Sequence, residues 1–167
     1  MTSIPDQLRT SAIKHLNEGR DRLHKCLGML SEEQVWRRAN ANTASVGNLV
    51  LHLCGNVGQW VNSTLGREAD DRTRDAEFSD TGSLDKSHLL ARLDATMAKA
   101  TAIIAALPDA DLARTFKVQI YKETGVGIIV HVTEHFSYHV GQVTLHTKLL
   151  LDVDTGFYAG QDLNAKP

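Results

Sequence analysis

The sequence is poor in the residues that characterise disulfide-rich, membrane or fibrous proteins. Its 167 residues include two cysteines, three prolines and only 5% aromatic residues. The cysteines, Cys26 and Cys54, do not form a CxxC motif, which favours a reducing compartment. The N-terminus carries no basic and apolar signal segment, and no apolar run approaches the roughly 18 residues that cross a bilayer. These absences predict a cytoplasmic protein without a membrane span.

The chain also lacks a strong excess of either charge. Its formal net charge is −2 and its isoelectric point is near 6.4, so nothing indicates binding to nucleic acid or to an anionic membrane. It has no internal repeat, no low-complexity tract and no glycine-rich phosphate loop. We therefore expect one domain over residues 1–167, large enough for its own core, with a small-molecule substrate as its partner.

Apolar residues instead recur at spacings of three and four along four long segments, which is typical of amphipathic helices. The segments are Ser3–Leu30, Ser45–Leu65, a third that follows Gly82 with Ser83 as its N-cap and ends at Leu107, and Gly125–Leu151. Leu90 is expected on the buried side of the third. Four such helices predict an all-α fold, a four-helix bundle with long connections.

The connections carry weaker signals. Ser31 begins a capping-box pattern that predicts a short helical turn. The charged segment Arg67–Thr81 has no periodicity and is interpreted as a solvated loop. Phe116–Tyr121 alternates apolar and polar residues as a strand does, but it has no expected partner in its own chain. Residues 152–167 are predicted to form a tail on the surface.

The last long helix holds four of the eight histidines: His131, His135, His139 and His146. His135 and His139 are four residues apart, so both side chains leave one face of the helix about 5–6 Å apart. This pair can bind one metal ion, with His131 as a third candidate, whereas His146 lies about two turns beyond His139. The alternative is a chance pair with ordinary hydrogen bonds. A metal site would also need a ligand from elsewhere in the chain.

The second helix has a polar stripe that contains His52, Asn56 and Gln59. The helical wheel puts His52 well away from the apolar stripe, so the residues alone favour a solvated face over a binding site. Cys54 points nearly opposite His52 and is interpreted, like Cys26, as a packing residue.

Two segments together resemble the DinB/YfiT-like superfamily of metal-dependent enzymes. The first is Leu49–Trp60, with the sequence LVLHLCGNVGQW, and the second is Glu134–Gln142, with the sequence EHFSYHVGQ. The similarity extends over nearly the whole chain through the order of the four helices, and the His-x3-His followed by Val-Gly-Gln is its most specific part. Many relatives have an arginine directly after the last histidine, where this chain has Val140, which places it in a divergent branch.

This resemblance implies one divalent metal ion held by His52, His135 and His139, with His131 beside the ligand set or at the surface. It also implies a homodimer. Characterised relatives include transferases and isomerases that use a low-molecular-weight thiol such as bacillithiol or mycothiol. The chain is therefore expected to be a thiol-dependent S-transferase, with a metal-dependent hydrolase and a non-catalytic, stress-associated metal-binding bundle as the alternatives.

Three neutral imidazoles leave a coordination position open, as catalytic metal sites do. Imidazole suits zinc, nickel, iron or copper, and we expect zinc or nickel. Asn56 and Gln142 are candidates to orient the ligands or the substrate by hydrogen bonds, although routine bonds between helices are an equal alternative. Tyr138 could donate a proton or simply pack, and Glu134 points away from His135. With no acid or base expected beside the site, the metal would supply most of the activation.

Overall fold

The computed structural model describes residues 2–166 and confirms an all-α fold built on four long helices. The bundle leaves no described helix with enough length and apolar character to span a bilayer. The elements in chain order are α1 (Ile4–Met29), α2 (Glu32–Trp36), α3 (Val46–Val57), a π-helical segment (Gly58–Ser63), α4 (Arg74–Ser79), α5 (Lys86–Ala106), α6 (Asp109–Ala113), β1 (Thr115–Val118), β2 (Tyr121–Thr124) and α7 (Gly125–Leu151).

The four long helices surround one core. Helix α1 packs against α5 and α7, and α3 packs against the same two helices from the other side. Gly19 brings α1 close to α7, since a Cβ at that position would lie 2.8 Å from the ring of Phe136. The fully buried side chains come from all four helices and include Leu16, Leu23, Leu53, Leu93, Met97, Ile129 and Phe136.

The second long helix begins at the predicted N-cap, Ser45, whose hydroxyl accepts a hydrogen bond from the Asn48 amide while the Asn48 side chain accepts from Ser45. It does not remain an α-helix up to Leu65. After Val57 it continues as a π-helix over Gly58–Ser63, a rare geometry with a wider turn that is frequent at functional sites.

The prediction that the His52 face of α3 is exposed to solvent is wrong. Helix α4 packs over α3, and His52 is only 5% exposed. The segment Arg67–Thr81 is therefore not simply a loop, because it contains α4, and Glu77 on α4 is only 7% exposed. Sequence periodicity missed α4 because six residues are too few to show a helical repeat.

The third long helix is capped by Asp85, not by the predicted Ser83. The Asp85 side chain accepts from the His88 amide, whereas Ser83 lies two residues earlier and its amide donates to Asp80. Leu89, and not Leu90, is on the fully buried side of this helix. The helix ends at Ala106, just before Pro108, as expected.

The predicted lone strand is half of a hairpin. Strands β1 and β2 pair antiparallel with Thr115 opposite Thr124 and Val118 opposite Tyr121. The tight turn between them puts Gln119 at a φ of 53°. The partner of this strand is thus in the same chain, and the hairpin leads directly into α7.

The remaining connections agree with the sequence. Ser31 forms the predicted capping box at the start of α2. After α7 the tail lies on the surface, held by buried Thr155 and by Phe157, which packs on the core. Pro167, the last residue of the predicted tail, lies outside the described residues.

Candidate metal centre

Three histidines from two helices meet between α3 and α7. The Nε2 atoms of His52 and His135 are 3.2 Å apart, and one nitrogen from each of His52, His135 and His139 lies within 4.8 Å of the others. The spacing of four residues on α7 aligns His135 with His139. Packing of α3 against α7 supplies the third ring. The structure therefore brings together the three residues that the family resemblance singled out.

His52 is held by a buried carboxylate. Its Nδ1 lies 2.8 Å from Oε2 of Glu77, and both side chains are less than one-tenth exposed. With the Nδ1 proton donated to Glu77, the Nε2 lone pair is free and faces His135. Gly55 makes room for this contact, because a Cβ there would collide with the Glu77 carboxylate.

Arg72 neutralises Glu77 through a two-pronged ion pair. Its Nε donates to Oε1 at 2.7 Å and one terminal nitrogen donates to Oε2 at 3.0 Å. Burial alone would raise the pKa of Glu77, but the hydrogen bonds from His52 and Arg72 outweigh burial and lower it. Glu77 is therefore a carboxylate at neutral pH that orients His52, and it is not a free general base.

Gln59 connects this ion pair to the hairpin. The other terminal nitrogen of Arg72 donates to Oε1 of Gln59 at 3.0 Å, and Gln119 in the hairpin turn donates to the same oxygen at 2.6 Å. Gln59 lies in the π-helical segment that extends α3. Its hydrogen bonds to Arg72 and Gln119 therefore join this segment, residues 67–73 and the hairpin in one network beside His52.

His135 and His139, the two α7 members of the group, are neutral at physiological pH. Burial lowers the pKa of His135 to about 4, and the neighbouring histidines and Arg72 lower it in the same direction. Burial also lowers the pKa of His139, and the hydrogen bond to Gln142 only partly opposes it. Metal coordination needs imidazole in this neutral form.

Gln142 holds His139 as Glu77 holds His52. Its Oε1 lies 2.7 Å from Nδ1 of His139, so the sequence prediction that Gln142 orients a ligand agrees with the geometry. The ring of Tyr138 stands edge-on to His139 at 4.9 Å but is 60% exposed. The buried Nδ1 of His135 has no hydrogen-bond partner among the described residues.

These residues fit a transition-metal ion of the zinc type. Three neutral imidazole nitrogens are a donor set that such ions prefer, whereas magnesium and calcium prefer oxygen. With bonds of about 2.0–2.1 Å, two nitrogens on a tetrahedral ion lie roughly 3.3 Å apart, close to the 3.2 Å between His52 and His135. Glu77 and Gln142 add the hydrogen bonds that commonly orient histidine ligands.

His131 lies beside the centre and outside the three-histidine group. It stacks on the indole of Trp60 with ring centroids 3.8 Å apart, and its Nε2 is 3.5 Å from Nδ2 of Asn56. Its ring centroid is 5.4 Å from that of His135. Burial lowers the pKa of His131, partly opposed by Glu134 and Glu123. The side-chain amide of Asn56 is therefore closest to hydrogen bonding with His131, which lies outside the group.

The other histidines are away from the centre. His15, His24 and His88 contact the carboxylates of Glu18, Asp94 and Asp85, respectively. His146 is not in the three-histidine group. Glu134 lines a different groove, between α1 and α7. Both cysteines are buried and free, and burial raises the pKa of Cys54 to about 12, as expected of a packing residue.

Sequence reasoning missed Glu77 and Arg72. Both were interpreted as ordinary charged surface. The prediction that no acid lies beside the site was therefore wrong. Nothing in the local pattern distinguishes Glu77 from its exposed neighbour Asp75, because only the packing of α4 on α3 buries one and not the other. The small residue Gly55 opposite Glu77 is the only trace in the sequence, and it has meaning only once the two helices are paired.

Comparison with known proteins identifies a family but no activity. The family described as "Protein of unknown function (DUF1572)" matches residues 4–156, a range that contains all three histidines and Glu77. No curated protein matches the chain in sequence.

Solved structures share the fold. A conserved protein from Enterococcus faecalis superposes with a TM-score of 0.73 at 14% identity, covering 86% of this chain and 97% of that protein. A DinB-like protein from Bacillus subtilis, YjoA, superposes with a TM-score of 0.65 at 18% identity, covering 84% of this chain and 91% of that protein. At these identities the similarity shows the fold alone.

Proposed function

Because this chain belongs to the DUF1572 family and has a DinB-like fold, we propose that it is a metal-dependent enzyme of the DinB-like type. The observation that carries the proposal is the convergence of His52, His135 and His139, with nitrogens within 4.8 Å of one another. The neutral state of the α7 pair and the buried Glu77 contact support a site prepared for a metal ion rather than a chance cluster. Zinc or nickel is the expected ion.

The reaction we propose is thiol-dependent S-transfer. When bound by three neutral imidazoles, a divalent ion supplies a Lewis acid with an open position that favours the ionised form of a thiol. The chain itself supplies ligand orientation through Glu77 and Gln142. Within residues 2–166 it offers no uncompensated carboxylate in contact with the three histidines, since Glu77 is paired with Arg72. Hydrolysis through a carboxylate general base is therefore the weaker candidate.

Metal content tests the site. Protein purified without a histidine tag or added metal should carry about one divalent ion per chain by elemental analysis. Alanine in place of His52, His135 or His139 should remove most of it, because two imidazoles hold such an ion far more weakly. His131→Ala is the matched control from the same helix and should retain the ion. Full retention in His52→Ala or His139→Ala would contradict the ligand assignment.

Cobalt substitution tests the reaction class. A thiol that binds as a substrate should produce an intense near-ultraviolet band in the cobalt-loaded protein, and His139→Ala should lose it. Apparent thiol affinity should rise with pH until the free thiol ionises, near pH 8.5 for an ordinary thiol. Turnover of any substrate at full rate without a thiol would overturn the transferase and favour the hydrolase. Metal binding without turnover across a panel of thiols and electrophiles would favour a non-catalytic role.

We also propose that the chain forms a homodimer through an exposed face of α7. The apolar groove of about 880 Å³ between α1 and α7 is bordered by an exposed face of α7. That face runs through Val130, Glu134, Ser137, Gly141, Leu145 and Lys148, which lie within about 80° of one another on the helix.

The charges on this face are self-complementary. Glu134 and Lys148 are each seven residues from Gly141, and neither forms an ion pair within residues 2–166. Two α7 helices crossing antiparallel at Gly141, where a Cβ would meet nothing within 4 Å, would place each glutamate near a lysine of the other copy. A second copy of the chain is therefore the occupant that suits this face.

A further inference from the structure

A small cavity adjoins the three-histidine group on the side away from His139. Its volume is about 320 Å³, and His52 and His135 form part of its wall. This is near the lower end of the roughly 300–1,000 Å³ typical of small-molecule sites. A ligand that fills it would have an atom beside the histidines, and would be a small molecule rather than a peptide.

One wall of this cavity is aromatic. The stacked rings of Trp60 and His131 line it, with an angle of 28° between their planes, and the ring of Tyr121 lies 6.0 Å from Trp60. Trp60 is only 4% exposed, whereas Tyr121 is 49% exposed at the mouth. The aliphatic part of a ligand can pack against this wall without displacing any of the hydrogen bonds around His52.

Two opposite charges on the wall have no partner among the described residues. Arg74 lies over the ring of Phe78 at 4.9 Å, and that ring is 4.8 Å from His52. Glu123 comes from β2, on the hairpin. Both side chains line the cavity, yet within residues 2–166 neither approaches an opposite charge within 4.0 Å. Arg72, by contrast, donates hydrogen bonds to both Glu77 and Gln59.

We propose that this cavity binds the zwitterionic end of an amino-acid thiol. The guanidinium of Arg74 receives the carboxylate, the carboxylate of Glu123 receives the ammonium group, and the sulfur is directed at the three histidines. The inference rests on the proposed function and names the class of thiol that this function uses. On binding, the S–H bond breaks, its electron pair stays on sulfur and the proton passes to solvent; no other bond of the thiol changes.

Calorimetric titration of the zinc-loaded protein with four thiols tests the proposal. Cysteine carries both charges, N-acetylcysteine lacks the ammonium group, cysteine methyl ester lacks the carboxylate, and 2-mercaptoethanol lacks both. Cysteine should bind about fivefold more tightly than either singly modified thiol, the upper range for one ion pair at a half-exposed site. 2-Mercaptoethanol should bind most weakly.

Two variants make the prediction specific. Arg74→Gln should remove the preference for cysteine over its methyl ester and leave the preference over N-acetylcysteine, and Glu123→Gln should do the reverse. Arg74→Lys, which keeps the charge, should retain most of the carboxylate preference. Arg114→Gln is the matched control, because Arg114 also lies over a phenylalanine ring, at 5.3 Å from Phe116, but does not line the cavity.

The outcomes separate this inference from the function on which it rests. Zinc content is measured before and after each titration. If the zinc-loaded protein binds all four thiols equally, the subsite is wrong and the proposed function stands. If cysteine is preferred equally in wild type and both variants, its amine chelates the metal and the subsite is wrong. If zinc is retained and no thiol binds, the proposed function itself fails.

Discussion

The chemistry of this centre depends on which histidines stay neutral and what holds each ring. His135 is kept neutral by burial and by its histidine neighbours, with a pKa of about 4. His52 is oriented by Glu77 at 2.8 Å, and His139 by Gln142 at 2.7 Å. Two of the three rings are thus oriented by side chains outside the group, Glu77 and Gln142. The third, His135, is kept neutral by its surroundings.

Glu77→Ala should weaken metal binding about 10- to 100-fold, because it removes the hydrogen bond that fixes the His52 ring and leaves Arg72 buried without its partner. Glu77→Gln should have a smaller effect, since its amide oxygen can still accept the His52 proton. Competition titration against a chelator measures both. Asp75→Asn is the control, an exposed acid on the same helix. Equal affinity of wild type and Glu77→Ala would show that the contact does not position His52.

The metal-free protein should lose stability as pH falls from about 6.5 towards 4. An unfolded histidine takes up a proton near pH 6.5, whereas folded His135 does so only near pH 4. Between these values the unfolded state binds more protons, so the free energy of unfolding rises with pH. Urea titrations at intervals across this range measure the slope. His135→Gln should flatten it, and an unchanged slope in that variant would contradict the assigned neutrality.

At the scale of elements, α4 and the π-helical segment organise the environment of His52. Helix α4 covers α3 and brings Glu77 to the histidine, and the π-helical segment brings Gln59 to Arg72. The spacing of apolar residues predicted the four long helices, and Ser45 marked the start of α3, because those signals are local. They could not predict α4 or the hairpin partner of β1, because a six-residue helix and a four-residue strand are too short for a periodic signal.

Gly55→Ala should both destabilise the protein and weaken metal binding. The added methyl group would occupy the position of the Glu77 carboxylate, and relieving the overlap by moving α4 would cost about 1–3 kcal/mol. Gly58→Ala is a matched control three residues later, because a Cβ there meets nothing within 4 Å. Thermal unfolding and chelator competition measure the two effects. A Gly55→Ala protein as stable as Gly58→Ala would contradict the close contact between α3 and α4.

At the scale of the whole molecule, the bundle has a face that no part of residues 2–166 covers. The groove between α1 and α7 and the exposed α7 face beside it are continuous, while the three histidines lie against α3 on another side of α7. Association through the α7 face would therefore leave the three histidines and the cavity beside them accessible from the side of α4 and the hairpin.

Charge reversal tests the homodimer. Sedimentation equilibrium of wild type at micromolar concentration should give twice the chain mass. Lys148→Glu should raise the dissociation constant about tenfold, because two attractive pairs become repulsive across the two-fold axis. The double variant Glu134→Lys with Lys148→Glu should restore association, whereas Lys122→Glu on the hairpin should have no effect. A monomeric wild type, or a double variant no better than the single one, would overturn this arrangement.

The sequence by itself determined the four long helices, the N-cap of α3 at Ser45 and the pairing of His135 with His139, because each of these follows from spacing along one helix. Similarity to a known family added His52, against the indication of the helical wheel. Only the tertiary structure decided that α4 buries His52, that Glu77 and Arg72 form its support, and that Arg74 and Glu123 share one cavity. These contacts join residues from different elements, and their chemistry arises from the exclusion of water by packing, which no local pattern in the sequence encodes.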